Sequence, residues 1–129
     1  MSRLGYATHS NSVTRFKEER AAFISNLEAN ANTLRDHPHA AGEVADSLYG
    51  LVDQVRRIKV AAVAMDAIRS DPYVRAKPYA FYSHEVPLMC KDVVASLLHW
   101  ADILVNTDGR RTDDIVVQSI RQMLVSLRF

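Results

Sequence analysis

The sequence is poor in the residues that usually mark disulfides, tight turns and membrane spans. It contains one cysteine, four glycines and four prolines in 129 residues. A single cysteine, Cys90, excludes an internal disulfide and favours a reducing compartment. The longest apolar run, at 60–65, has six residues, whereas a membrane-spanning helix needs roughly 20. Residues 1–12 lack the apolar core of a signal peptide. We therefore expect a cytoplasmic protein that does not bind membranes.

A strong charge of one sign is also missing. Sixteen basic and fifteen acidic side chains give a formal net charge of +1, which excludes a global field that attracts nucleic acid or anionic lipid. Apolar residues make up 48% and charged residues 24%, as in ordinary globular proteins. This length and composition predict a single domain that spans residues 1–129.

Sequence signatures of chemistry are absent as well. There is no glycine-rich phosphate loop, no CxxC pair and no GxSxG elbow. His39 and Glu43 are four residues apart, but a polar helix start explains them without a metal. His99 and Asp102 fall on one polar helical stripe, and Cys90 falls on an apolar one. We therefore expect a non-enzymatic protein with no catalytic residue, no bound metal and no cofactor.

The spacing of apolar residues predicts an all-α fold, an antiparallel bundle of about four helices. Residues 1–10 are expected to form a flexible arm, and residues 71–85 the longest loop. The first helix is predicted from Asn11 or Ser12 to about Arg35, since either residue can cap free N–H groups. The others are predicted between Pro38 and Pro72, from near Val86, and from Thr112.

The second helix carries the most regular pattern in the chain. Its apolar residues are separated by alternating steps of three and four, the spacing of a narrow seam that packs against another helix. They are Ala41, Val44, Leu48, Leu51, Val55, Ile58, Ala62 and Met65. At about 30 residues this helix is longer than the others, and its segment 60–65 is apolar on every side. We therefore expect a second copy of the chain to cover this end. The predicted homodimer interface consists of Val60, Val63, Ala64, Met65 and Ile68.

The segment 71–85 is rich in aromatic and basic residues. These types are common in binding hot spots, and alternating aromatic and basic residues also suit stacking on unpaired bases. Alternatively, the aromatic side chains fold back and close one end of the bundle. The candidate partner-binding residues are Tyr73, Arg75, Lys77, Tyr79, Phe81 and Tyr82.

Two basic pairs, Arg56–Arg57 and Arg110–Arg111, are candidate nucleic-acid contacts. A solvated helix face explains them better, since Asp53 is placed to form surface ion pairs with Arg56 and Arg57. The sequence thus predicts a regulator or adaptor that docks on a partner protein. The alternative is a small helical RNA- or DNA-binding subunit of a nucleoprotein complex.

Overall fold

The predicted all-α class is confirmed. A computed structural model describes residues 2–68, 81–106 and 113–126, with side chains at residues 13–65, 82, 84–106 and 115–125. These segments form four α-helices and no strand. The helices are α1 (Ser2–Asp36), α2 (Ala41–Ile68), α3 (Val86–Asn106) and α4 (Asp113–Ser126). A 3-10 turn (Pro38–Ala40) precedes α2, and a π-helical turn (Phe81–Glu85) precedes α3. In these ranges, no helix combines the length and apolar character that a bilayer crossing requires.

The boundary between α1 and α2 follows from Pro38. His37 has an extended backbone, with φ −136° and ψ 78°, because the residue before a proline avoids helical angles. Its N–H still donates to the Thr33 carbonyl, 2.8 Å away, which completes the last turn of α1. Ala40 N–H then donates to the His37 carbonyl, 2.9 Å away, and α2 follows without a break. Pro38 therefore lies in a separate 3-10 turn, and the first turn of α2 begins after it.

The first helix begins earlier than predicted. Its backbone is helical from Ser2, whereas we expected a flexible arm over 1–10 and a helix start at Asn11 or Ser12. Asn11 and Ser12 therefore lie inside α1 and do not cap its start. The sequence has no proline between residue 2 and Pro38, so nothing of that kind stops the helix from extending towards the N-terminus.

The predicted seam of α2 is confirmed, but it faces neighbouring helices of the same chain. All eight residues of the seam are buried within the single chain. The helix is continuous through Gly50 and Lys59 over its 28 residues, about 42 Å at 1.5 Å per residue. One continuous core receives side chains from all four helices.

The second helix lies between two neighbours. It packs against α1 on one side and α3 on the other, while α4 packs against α1 and makes few contacts with α3. Residue numbers that rise along α1 fall along α2 in their paired contacts. These contacts join Glu19 to Arg57, Asn26 to Gln54, and Asn30 to Ser47.

A polar layer interrupts the apolar contact between α1 and α2. The Asn30 side-chain amide donates to Ser47 Oγ at 2.9 Å and to the Asn26 carbonyl at 3.0 Å. Asn26 Nδ2 donates to Gln54 Oε1 at 3.4 Å, and both Asn30 and Gln54 are buried. An unpaired buried amide lowers the stability of the folded protein. These contacts therefore favour the one register of the two helices in which the amides are paired.

The other two helices expose several large apolar side chains. On α3, Leu88, Leu98 and Val105 are exposed. On α4, Ile115 is exposed and Val117 is buried. The sparse contact between α3 and α4 explains part of this exposure, since each helix covers little of the other's surface.

Gly50 offers a direct test of helix propensity in α2. A Cβ placed there meets no atom within 4 Å, so alanine fits without strain. We expect Gly50→Ala to raise the free energy of unfolding by about 0.5–1 kcal/mol, because glycine loses more backbone entropy on folding. Urea unfolding followed by circular dichroism measures the change, and a lower stability would contradict a straight, open helix at this position.

The end of α2 offers a second test, because two of its apolar residues differ in burial. Met65 is 6% exposed and Val63 is 41% exposed. We expect Met65→Lys to lower the free energy of unfolding by about 3 kcal/mol, since it buries an unpaired charge, and Val63→Asp to change it by only about 0.5 kcal/mol. Thermal and urea unfolding of both variants measure this difference, and equal losses would contradict the described packing.

Candidate partner-binding surface

Most of the predicted binding loop lies outside the described residues, including Tyr73, Arg75, Lys77 and Tyr79. We predicted a loop over residues 71–85, but residues 81–85 form a π-helical turn that is continuous with α3. Phe81 lies in this turn, and its side chain is outside the described residues.

Tyr82 is the candidate residue of this segment whose side chain is described. It is half-buried and packs edge-on against Phe16 of α1, with ring centroids 5.5 Å apart and planes at 83°. Phe16 also lies under the Arg20 guanidinium, whose central carbon is 5.2 Å from the ring centroid. At Tyr82, therefore, the aromatic side chain packs against the core of the bundle.

The predicted dimer-interface residues differ in how far they are exposed. Val60 is 62% exposed and Val63 is 41% exposed, so both present apolar surface to solvent. Ala64 is partly buried, and Met65 is buried against the core, so Met65 has almost no area to offer a partner. The backbone of Ile68 ends α2, and its side chain is outside the described residues. Burial against α1 and α3 thus leaves an exposed strip only on the outer side of α2.

The structure describes two of the four residues predicted to contact nucleic acid. Arg56 and Arg57 are exposed residues of α2, whereas Arg110 and Arg111 lie outside the described residues. Arg56 Nη1 is 3.4 Å from Asp53 Oδ1, an exposed pair one helical turn apart. Arg57 Nε is 3.2 Å from Glu19 Oε1, which links α2 to α1. Arg57 therefore also has a structural role.

Two open grooves lie on either side of the exposed strip of α2. The first, between α1 and α2, has a volume of about 280 Å³ and is lined by Arg15, Glu19, Arg56, Arg57 and Val60. The second, between α2 and α3, has a volume of about 180 Å³ and is lined by Val55, Arg56, Lys59, Pro87, Cys90, Lys91 and Val94. Arg56 lines both grooves, so the surface is continuous across α2.

We call the exposed strip between the grooves the α2 ridge, defined by Arg56, Lys59, Val60 and Val63. These positions are separated by three, one and three residues, and therefore lie on one helical face about two turns long. The apolar side chains of the ridge are its two valines, and its charged side chains are both basic. The ridge is therefore a small amphipathic surface of a single charge sign.

The charges that line the two grooves are strongly unbalanced. Among the described residues they comprise five cations, Arg15, Arg56, Arg57, Lys59 and Lys91, and one carboxylate, Glu19. Glu19 is already paired with Arg57. In the described part of the chain, Arg15, Lys59 and Lys91 form no ion pair. The overall charge of +1 therefore hides a local basic surface.

Sequence reasoning missed this surface because it comes from three helices. Arg15, Lys59 and Lys91 are far apart in sequence and flank the same face of α2 only when α1 and α3 pack on opposite sides of it. Part of the signal was readable, since Arg56, Lys59, Val60 and Val63 share one face of a single helix. The seam on the opposite side of α2 carried the stronger pattern.

The acid–base pair considered on α3 has another explanation. The Tyr49 hydroxyl of α2 donates a hydrogen bond to Asp102, which raises the pKa of Tyr49 above its usual value. His99 is exposed and packs edge-on against Trp100, with centroids 4.8 Å apart. Asp102 therefore fastens α3 to α2.

The candidate metal ligands near the start of α2 do not assemble. His39, Glu43 and Asp46 line a wide, open groove of about 570 Å³ beside the last turn of α3. Within residues 2–68, 81–106 and 113–126, no three histidine, cysteine or acidic side chains come close enough to hold a metal ion.

Cys90 lies at the base of the groove between α2 and α3. Its residue is 2% exposed, and burial raises the pKa of the thiol to about 11, although the nearby Lys59 ammonium acts in the opposite direction. Because the thiolate is the nucleophile, this environment makes the sulfur unreactive near neutral pH. The thiol behaves as a small apolar side chain beneath the basic rim.

The raised thiol pKa predicts slow alkylation in the folded protein. At about pH 8, a thiol of pKa about 11 is ionised in about one molecule in 1,000, compared with about one in 10 at the ordinary value. We expect iodoacetamide to modify Cys90 at least about 100-fold more slowly in the folded protein than in the protein unfolded by urea. Mass spectrometry follows the reaction at the single cysteine, and equal rates would indicate an accessible, ionised thiol.

Comparison of the chain with protein-family models, with curated proteins and with solved structures finds no match in any of the three.

Proposed function

We propose that this protein is a non-enzymatic regulator or adaptor that docks on a partner protein through the α2 ridge and its two flanking grooves. The observation that carries the proposal is the exposure of Val60 and Val63 in the middle of a basic surface. Apolar side chains that enter a partner supply affinity, and the surrounding charges select the partner and steer its approach. The proposal includes an antiparallel arrangement of the four helices, in line with the paired contacts between α1 and α2.

A second copy of the chain is a less favourable occupant of this ridge. In a two-fold symmetric dimer the same patch faces itself, so Arg56 and Lys59 of one subunit would approach those of the other. Like charges that face each other across an interface oppose association. The homodimer expected from the sequence would therefore have to avoid the centre of the ridge or recruit anions.

Nucleic acid is the second candidate occupant, because five cations line the two grooves. Phosphate contacts require positive charge, but they do not require exposed valines at the centre of the surface. Among the described residues that line the grooves, there is also no aromatic ring on which an unpaired base could stack. These features favour a protein partner over RNA or DNA.

The proposal is tested by selective loss of a partner. We expect the tagged wild-type chain to retain a protein from nuclease-treated host lysate that the double variant Arg56→Glu/Lys59→Glu fails to retain. The matched control, Lys17→Glu/Arg121→Glu, makes the same change in net charge at exposed cations that line neither groove, and it should retain the protein. Quantitative mass spectrometry compares the three samples.

Three outcomes would contradict this function. In the first, Arg56→Glu/Lys59→Glu retains the same proteins as the wild type. Another is retention that occurs from untreated lysate and is lost from nuclease-treated lysate, which would identify nucleic acid as the occupant. The third is a wild-type dimer, measured by size-exclusion chromatography with light scattering, that becomes a monomer in Val60→Asp.

A further inference from the structure

We infer that the segment recognised by the α2 ridge is an acidic amphipathic α-helix, whose apolar side chains contact Val60 and Val63 and whose carboxylates face the cations of both grooves. This inference rests on the proposed function and names the class of partner. It follows from three properties of the surface: the chemistry of its backbone, the spacing of its side chains and the sign of its charge.

The backbone of the ridge limits how a peptide can bind. The ridge lies in the interior of α2, which is continuous from Ala41 to Ile68, so its N–H and C=O groups are already paired within the helix. A peptide strand therefore finds no open sheet edge to extend. Within the described part of the chain, no aromatic side chain lines either groove, whereas grooves that bind proline-rich peptides are lined by such rings. A helix needs neither feature, because it satisfies its own backbone.

The spacing of the ridge matches that of a partner helix. Arg56, Val60 and Val63 are related by steps of four and three, and the distance along the axis from Arg56 to Val63 is about 10.5 Å. A helix with apolar residues at the same steps presents a complementary row of side chains over two turns. The grooves on either side of α2 then receive the side chains that flank this row.

Cations line both sides of the ridge, and Glu19, the carboxylate in the groove towards α1, is paired with Arg57. Arg15 and Arg57 line the groove towards α1, and Lys59 and Lys91 line the groove towards α3. A partner helix with carboxylates on both borders of its apolar row meets cations on both sides. Arg15, Lys59 and Lys91 form no ion pair within the described residues, so these three cations are available to it. The valines provide the apolar anchor, and the surrounding charges favour acidic helices over basic ones.

A set of designed peptides tests this inference on the full-length protein. The probe is a fluorescent helical peptide of about 20 residues, with leucines at steps of three and four and glutamates on both borders of the leucine row. One comparison peptide replaces each glutamate with lysine, and a second has the same composition in scrambled order. A single-stranded RNA of about 20 nucleotides is the fourth probe. Fluorescence anisotropy at low and high salt measures each affinity.

We expect the acidic amphipathic helix to bind at least about 10-fold more tightly than the lysine and scrambled peptides. Its affinity should fall as salt is raised, because exposed ion pairs are screened. Arg56→Glu/Lys59→Glu and Val60→Asp should each weaken binding about 10-fold, whereas Lys17→Glu/Arg121→Glu should leave it unchanged. Because all these positions are exposed, circular dichroism is expected to show the same fold in each variant.

Equal binding of the acidic and lysine peptides, absence of binding to the acidic peptide, or tighter binding of the RNA would overturn the inference. So would acidic-peptide binding that survives both ridge variants. The proposed function has a separate readout. If a host protein is lost with the ridge variant while the acidic peptide fails to bind, the class of partner is wrong and the docking function stands.

Discussion

The packing of α2 between α1 and α3 is the constraint on which the rest of the structure depends. A helix with one neighbour buries a single stripe, but α2 buries its predicted seam together with residues to either side of it, such as Ala45 and Ala61. The residues on the outer side of α2 remain in solvent. The same arrangement that forms the core therefore fixes the width of the α2 ridge and places a groove on each side of it.

Polar contacts decide where along α2 each neighbouring helix lies. The hydrogen bond between Asn30 and Ser47 fixes one point of contact with α1, and the pair between Glu19 and Arg57 fixes another nearer the ridge. The hydrogen bond from Tyr49 to Asp102 does the same for α3. Each of these contacts contributes little free energy by itself. Their importance is geometric, because a slip of one turn in either helix would move Arg15 or Lys91 away from the ridge.

Sequence periodicity predicted which face of α2 is buried, because a buried stripe leaves the same pattern wherever its neighbour comes from. All eight seam residues of α2 are buried, and Phe16, Phe23, Leu27 and Leu34 of α1 are as well. Periodicity carries no information about the identity of the covering surface, so the seam gave the same signal for a neighbouring helix as for a second chain. Met65 was assigned to a dimer interface for this reason, and the structure buries it within the subunit. The basic surface was less predictable still, since its cations are contributed by three helices.

The small apolar area of the ridge constrains the kind of association that it supports. A stable protein interface buries about 800 Å² on each partner, and two partly exposed valines supply only a small part of that area. The rest has to come from the side chains around them, and half of the other residues that line the grooves are arginine or lysine with long aliphatic stems. Such stems cover apolar surface only when their charged ends find solvent or an anion. A partner with carboxylates beside its apolar anchors meets that condition, whereas a second copy of this basic surface does not.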